Sequence, residues 1–165
     1  LLLVGGAAWN EWRKAQDRAA AQALGDAVLA ALATEDRAAR AAALDAITAP
    51  GAQAASVIAL LAAAEEAADN PEAAAQRLLA LADRSDVQAV YRNLATLKAV
   101  MLPDSGLDAE ARRGRLNGLA LSGGVLRLLA EEQLATLKQA TARRLLSALW
   151  QLPAMPRPRW ACAGG

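Results

Sequence analysis

Apolar positions recur every three to four residues along most of the chain with polar residues between them, the period of amphipathic helices rather than of strands. From Trp12 to about Ala33, Ala20, Leu24, Val28 and Leu32 step by four, with Gln16, Arg18, Gln22 and Asp26 interleaved. Thr34 reads as an N-cap before Glu35 and Asp36, whose negative charges suit the start of a second helix reaching about Thr48; Ala49-Pro50-Gly51 ends it. A third helix spans about Ala52 to Ala68, with Val57, Leu61, Ala64 and Ala68 on one face. It stops at Asp69-Asn70-Pro71, where Asn70 is the expected cap and Pro71 takes a first helical position that needs no N–H partner. The fourth helix runs to about Asp83 and carries Ala74, Leu78, Leu81 and Ala82.

Ser85 or Asp86 caps the clearest helix, in which Val87, Val90, Leu94, Leu97 and Met101 step by three and four, so that this stripe is expected to be buried. After Leu102-Pro103-Asp104-Ser105-Gly106, a sixth helix from Leu107 to about Leu121 points Ala111, Leu116, Leu119 and Ala120 inward. Ser122-Gly123-Gly124 separates it from the last helix, where Leu126, Ala130, Leu134 and Leu137 repeat the spacing.

Successive helices look paired, and the pairs repeat. Ile58-Ala59-Leu60-Leu61, Leu94-Ala95-Thr96-Leu97 and Leu134-Ala135-Thr136-Leu137 read as apolar centres of successive first helices, starting 36 and 40 positions apart. Those intervals bracket a helix-turn-helix repeat of about 34 residues with long turns. Each pair has an apolar face it cannot bury alone, so neighbours stack; the expected fold is all-α, a TPR-like α-solenoid of antiparallel helix pairs with a concave groove. The competing arrangement is an irregular helical bundle. Ala59, Ala62, Ala63, Ala73, Ala74, Ala95 and Ala99 favour the solenoid, because close-packed antiparallel helices need short side chains at their crossings.

Composition agrees with helices and narrows the chemistry. Hydrophobic residues make up 55% of the chain, with no Phe and one Tyr, so strand-favouring aromatics are nearly missing. A net charge of +1 lacks the basic excess of a nucleic-acid binder. With no His and Cys162 as the one thiol, Cys/His zinc sites and Ser-His-Asp triads cannot be assembled, and no cofactor is expected.

The opening Leu1-Leu2-Leu3-Val4-Gly5-Gly6-Ala7-Ala8-Trp9, without an initiator Met, reads as the end of something longer. Aliphatics, then small residues, then Trp9 and Trp12 at interface depth, then charge, is the order in which a transmembrane helix leaves a bilayer. An apolar first turn of a soluble helix and a signal-peptide core are the alternatives. Arg13, Lys14 and Arg18 would by the positive-inside rule prefer the cytoplasm, and without the other flank the orientation stays open. The expected organisation is residues 1–10 as the end of an anchor, 11–138 as the repeat domain, and 139–165 as a helical extension and Pro/Arg tail.

The run from Leu1 to Trp9 into Trp12-Arg13-Lys14, the segment Tyr91-Arg92-Asn93-Leu94-Ala95-Thr96-Leu97-Lys98, and Arg127-Leu128-Leu129-Ala130-Glu131-Glu132-Gln133-Leu134-Ala135 together resemble a known family. It is the proteobacterial, membrane-anchored TPR-like proteins, the YfgM-like ancillary subunits of the SecYEG translocon, and the likeness covers roughly residues 1 to 137. The resemblance implies a single-pass inner-membrane protein whose repeat domain faces the periplasm and contacts translocon components and chaperones. It carries over no catalytic residue. After about Lys138 the sequence departs from the family: where a glycine-bearing turn and a closing helix would be expected, Gln139 to Trp150 continues as helix and Leu152 to Trp160 forms a Pro/Arg tail.

Candidate chemistry is sparse. Glu65-Glu66, Glu131-Glu132 and Asp83/Asp86 are the carboxylate groups, but neighbours on a helix point about 100° apart and such pairs usually lie on solvated faces. Gly5-Gly6 and Gly123-Gly124 lack the surroundings of phosphate loops. Arg112, Arg113 and Arg115, with Arg127, form the densest basic group, open to an acidic partner or simply to solvent. Tyr91, Leu94, Lys98 and Arg127 are the candidate lining of a partner groove, Tyr91 serving equally as a core residue; Trp150 and Trp160 patch apolar surface. The expected function is therefore a non-enzymatic, membrane-tethered scaffold that binds proteins and no small-molecule substrate. A self-associating assembly protein of the cell envelope, motivated by the alanine faces, is the alternative.

Overall fold

The computed structural model describes the backbone of residues 2–150 and the side chains of residues 9–150, and the Pro/Arg tail, Trp160 and Cys162 lie outside the described residues. Within that span the chain is all-α, with seven helices and no strands: α1 Leu2–Leu32, α2 Arg37–Asp45, α3 Gly51–Glu66, α4 Pro71–Ala82, α5 Ala89–Met101, α6 Ala109–Leu121 and α7 Gly124–Trp150. No helix among the described residues is long and apolar enough to cross a membrane.

Local chemistry explains the boundaries. Asn70 caps α4 by accepting the Ala73 N–H at 3.1 Å, with Pro71 in the first turn as expected. Asp36, not Thr34, caps α2, accepting the Ala39 N–H at 2.7 Å, and Asp108 caps α6 through the Ala111 N–H at 2.7 Å. Neither Ser85 nor Asp86 caps α5. That helix starts later, at Ala89, because Asp86 turns back to Arg84 and Val87 packs into the core before the helix begins. Gly123 and Gly124 both have left-handed backbones, φ +79° and +63°, which breaks the chain between α6 and α7.

Each helix packs on the next in sequence, and α3 also meets α5, and α5 meets α7. The core is correspondingly serial. Ala31, Leu44, Ile58 and Ala62 join α1, α2 and α3; Leu60, Leu78, Leu81, Ala95 and Ala99 join α3, α4 and α5; Leu97, Val100, Leu116, Leu119 and Ala130 join α5, α6 and α7. Thus α3 and α5 each serve two clusters, one on either side. Ala62, Ala63, Ala74, Ala95 and Ala99 are wholly buried, which is what close helix crossings demand of side-chain size.

Two expected faces are corrected. Of the stripe expected on α5, Val87, which precedes the helix, and Leu97 are buried but Val90, Leu94 and Met101 are 57%, 36% and 53% exposed; the helix buries Ala95, Thr96, Leu97, Ala99 and Val100 instead. On α3, Val57 and Ala64 are exposed, as is Ala68 just past the helix, Leu61 is half-buried against the α1–α2–α3 cluster, and Ser56, Ile58, Leu60, Ala62 and Ala63 are buried. On α5 the close crossings fall over Ala95 and Ala99, so these small residues go inward while Val90, Leu94 and Met101 are left outside; on α3 the buried side combines Ile58 and Leu60 with Ala62 and Ala63. Ala111 of α6, expected inward, is also exposed.

The internal register is 37 to 38 residues. A shift of 37 carries the buried Ile58, Leu60, Ala62 and Ala63 of α3 onto the buried Ala95, Leu97, Ala99 and Val100 of α5. On the even helices, Arg40-Ala41 with Leu44, Arg77-Leu78 with Leu81, and Arg115-Leu116 with Leu119 repeat at shifts of 37 and 38, every apolar member buried. The verbatim Leu-Ala-Thr-Leu-Lys match is not equivalent in this sense: Ala95 and Thr96 are buried, whereas Ala135 and Thr136 are exposed.

Candidate functional site

The charged residues sort first, because most are held in the scaffold. Arg40 on α2 donates through Nε to Glu65 on α3 at 2.7 Å and through Nη1 to the carbonyls of Thr34 and Glu35 at 2.8 and 2.9 Å, tying the α1–α2 turn to two helices. Arg77 on α4 reaches Asp45 at 2.6 Å and Glu66 at 2.9 Å, and Arg115 on α6 grips Asp83 at 2.5 and 3.0 Å. The last two are the same device one register apart: an arginine reaching back 32 residues to an aspartate at the C-terminal end of the preceding even helix. The Arg115 guanidinium holds the Asp83 carboxyl below the usual carboxylate range, and Arg84 does the same to Asp86.

Glu65, Glu66, Asp83, Asp86 and Glu131 are therefore all ion-paired, and none is poised as a free acid or base. Nor do the arginines of α6 form a basic patch. Arg112 donates to the carbonyls of Val100, Leu102 and Leu107 at 2.9, 3.2 and 3.1 Å and to Ser105 Oγ at 2.8 Å, and Arg115 is engaged as above; only Arg113 of the three points to solvent without such partners among the described residues. Among the described residues no three His, Cys, Asp or Glu side chains stand close enough to hold a metal ion.

The four proposed groove residues separate. Leu94 and Lys98, one turn apart, share the exposed side of α5. Tyr91 is half-buried and packs against the α3–α4–α5 cluster, so it is a core residue. Arg127 sits in the first turns of α7, bound to Glu131 at 2.7 Å, and does not line the cleft that Lys98 lines. That cleft, about 230 Å³, opens between α3, α4 and the C-terminal end of α5 and is walled by Leu60, Ala64, Ala67, Leu78 and Met101. A larger apolar groove of about 570 Å³ runs between α1 and α2 along Leu24, Ala27, Ala43 and Ile47. Trp9 and Trp12, exposed on α1, stack with ring centroids 5.0 Å apart.

What sequence reasoning missed is the pairing of exposed apolar positions. Shifted by 37, Val57 of α3 falls on Leu94 of α5 and Ala64 on Met101, all four exposed. The exposed residues of α3 (Gly51, Gln53, Val57, Ala64) and of α5 (Ala89, Val90, Leu94, Lys98, Met101) include one charge, the Lys98 ammonium. The signal was the arginine spacing on the even helices, which fixes the register that apolar identity misplaced by a residue. No family model matches the chain, and neither a curated protein nor a solved structure matches it.

Proposed function

We propose that this chain is a TPR-like α-solenoid acting as a membrane-tethered scaffold for other proteins, with α3 and α5 presenting the surface that partners contact. The matched exposure of Val57 with Leu94 and of Ala64 with Met101 carries this reading, because two neighbouring helices offer the same uncharged, apolar edge beside a 230 Å³ cleft and a single ammonium. An apolar edge of that kind suits a partner segment that adds apolar side chains and brings one carboxylate to Lys98. The serial core, in which each cluster spans three consecutive helices, supports stacking of pairs rather than a bundle around one centre.

The tether rests on the sequence order from Leu1 through Trp9 and Trp12 to Arg13-Lys14. The resemblance to YfgM-like proteins extends the proposal to the bacterial inner membrane, a periplasmic repeat domain, and translocon components with their chaperones as partners. Photo-crosslinking in cell membranes tests it. A photoreactive residue in place of Leu94 or Met101 is expected to give adducts with translocon or chaperone proteins, and one in place of the exposed Arg113 on α6 is not. Adducts only with cytosolic proteins, or equal labelling from all three positions, would reject the proposal.

A further inference from the structure

Helix α7 carries apolar residues on two opposite sides, and the fold covers one of these sides. Leu126, Ala130, Leu134 and Leu137 face α5 and α6. On the far side Val125, Leu128, Leu146 and Leu149 are 72%, 66%, 57% and 62% exposed. Between them the same side carries Glu132, Ala135, Gln139 and Ala142, all exposed. From Val125 to Leu149 these eight positions alternate steps of three and four without a break, the seam of a two-stranded coiled coil.

We propose that α7 pairs with α7 of a second copy of this chain, antiparallel, to form a two-fold symmetric dimer. The occupant is set by self-complementarity. An antiparallel alignment level at Leu137 sets Val125 against the second copy's Leu149 and Leu128 against its Leu146, so each end of the seam is apolar. Glu132 then meets Ala142 of the other copy, with Arg143 beside it, and symmetry makes that charge contact twice. The parallel alternative sets Glu132 on Glu132 and Gln139 on Gln139 and brings Lys138 beside Arg143, so like charges oppose it. At 1.5 Å per residue the seam from Val125 to Leu149 is about 36 Å long, and the residues that form it belong to none of the fold's core clusters.

Sedimentation equilibrium of the 165-residue chain at tens of micromolar is expected to give twice 17.1 kDa. Leu128→Asp and Leu146→Asp each raise the dimer dissociation constant at least about tenfold without loss of helicity, because both residues are exposed in the single copy. Glu132→Lys weakens the dimer, and adding Arg143→Glu restores it. Orientation is read in a Cys162→Ser background: mixing Leu128→Cys and Leu146→Cys chains yields a disulfide between the two kinds, and neither alone yields one, since in the antiparallel pair like positions lie about 27 Å apart. A mass of 17.1 kDa, a dimer indifferent to these substitutions, or a disulfide between two Leu128→Cys chains overturns the proposal.

Discussion

Arg112 holds the end of α5 to the start of α6 without any carboxylate. Its guanidinium donates to three carbonyls and one hydroxyl, at 2.9 Å to Val100, 3.2 Å to Leu102, 3.1 Å to Leu107 and 2.8 Å to Ser105. Val100 and Ser105 are 4% and 3% exposed, so Arg112→Ala leaves two acceptors where water reaches poorly, whereas Leu102 and Leu107, half-buried, are partly rehydrated. An orphaned buried acceptor costs about 1–3 kcal/mol, which puts the loss for the two at about 2–6 kcal/mol. For a chain of this length that is roughly 4–24 °C in Tm. Because most packing passes between helices consecutive in sequence, the loss should fall mainly on one end: amide exchange in α6 and α7 accelerates while that in α3 and α4 stays close to wild type. Urea titration followed by circular dichroism, with hydrogen exchange, reads both. Arg112→Lys keeps the charge but not the planar fork and should recover less than half of the loss. A loss under about 0.5 kcal/mol in Arg112→Ala, or full stability in Arg112→Lys, would refute the latch.

Ala99→Leu pushes a larger side chain into a wholly buried crossing of α4 and α5 and should destabilise by about 1–3 kcal/mol in the same urea assay; a neutral result would mean the crossing has slack. Asp83 has its folded pKa lowered by the Arg115 hydrogen bond, so the bridge contributes fully above the unfolded carboxylate value of about 4 and is lost as pH falls through the lowered folded value. With the Asp83 side chain 59% exposed, the stability gap between wild type and Asp83→Asn should be below about 1 kcal/mol at pH 7 and close in acid; a gap unchanged at about pH 2.5 would contradict the pairing.

The helices were legible because their punctuation is chemical: Asn70-Pro71 fixes one start and Gly123-Gly124 one break, each by a backbone property the side chain alone determines. Faces were less legible. Ranking positions by hydrophobicity selects Val90, Leu94 and Met101, yet the packed side of α5 is set by Ala95 and Ala99, whose value lies in their smallness. The start of α5 was misread because Asp86, a good cap by type, is held by Arg84 at 2.6 Å. The carboxylates were ambiguous because their partners lie far off in the chain, 25 residues for Glu65 and 32 for Asp83, distances that no local pattern reveals.

The placement of charge connects the scaffold to its surface. Arg40, Arg77, Arg112 and Arg115 all lie on even helices and all reach to neighbouring elements, so the cations that would otherwise solvate the molecule are engaged within it. The odd helices α3 and α5 bury alanine alongside Ile58, Leu60, Leu97 and Val100, and among their exposed residues only Lys98 is charged. A single exposed leucine is ordinary, and Leu94 alone would mean little. Its recurrence in register is different, because the shift of 37 that superimposes the buried positions also superimposes Val57 on Leu94 and Ala64 on Met101. Adjacent packed helices lie about 8–10 Å apart, so a partner crossing from α3 to α5 meets equivalent apolar contacts at that interval, and meets Lys98 only at the second. If the proposed scaffold binds a segment there, direction is read as well as apolarity: a segment with its carboxylate at the α5 end fits, and the reversed one leaves that carboxylate beside Val57 and Leu61, the latter being the α3 position that the shift of 37 matches to Lys98, without a cation.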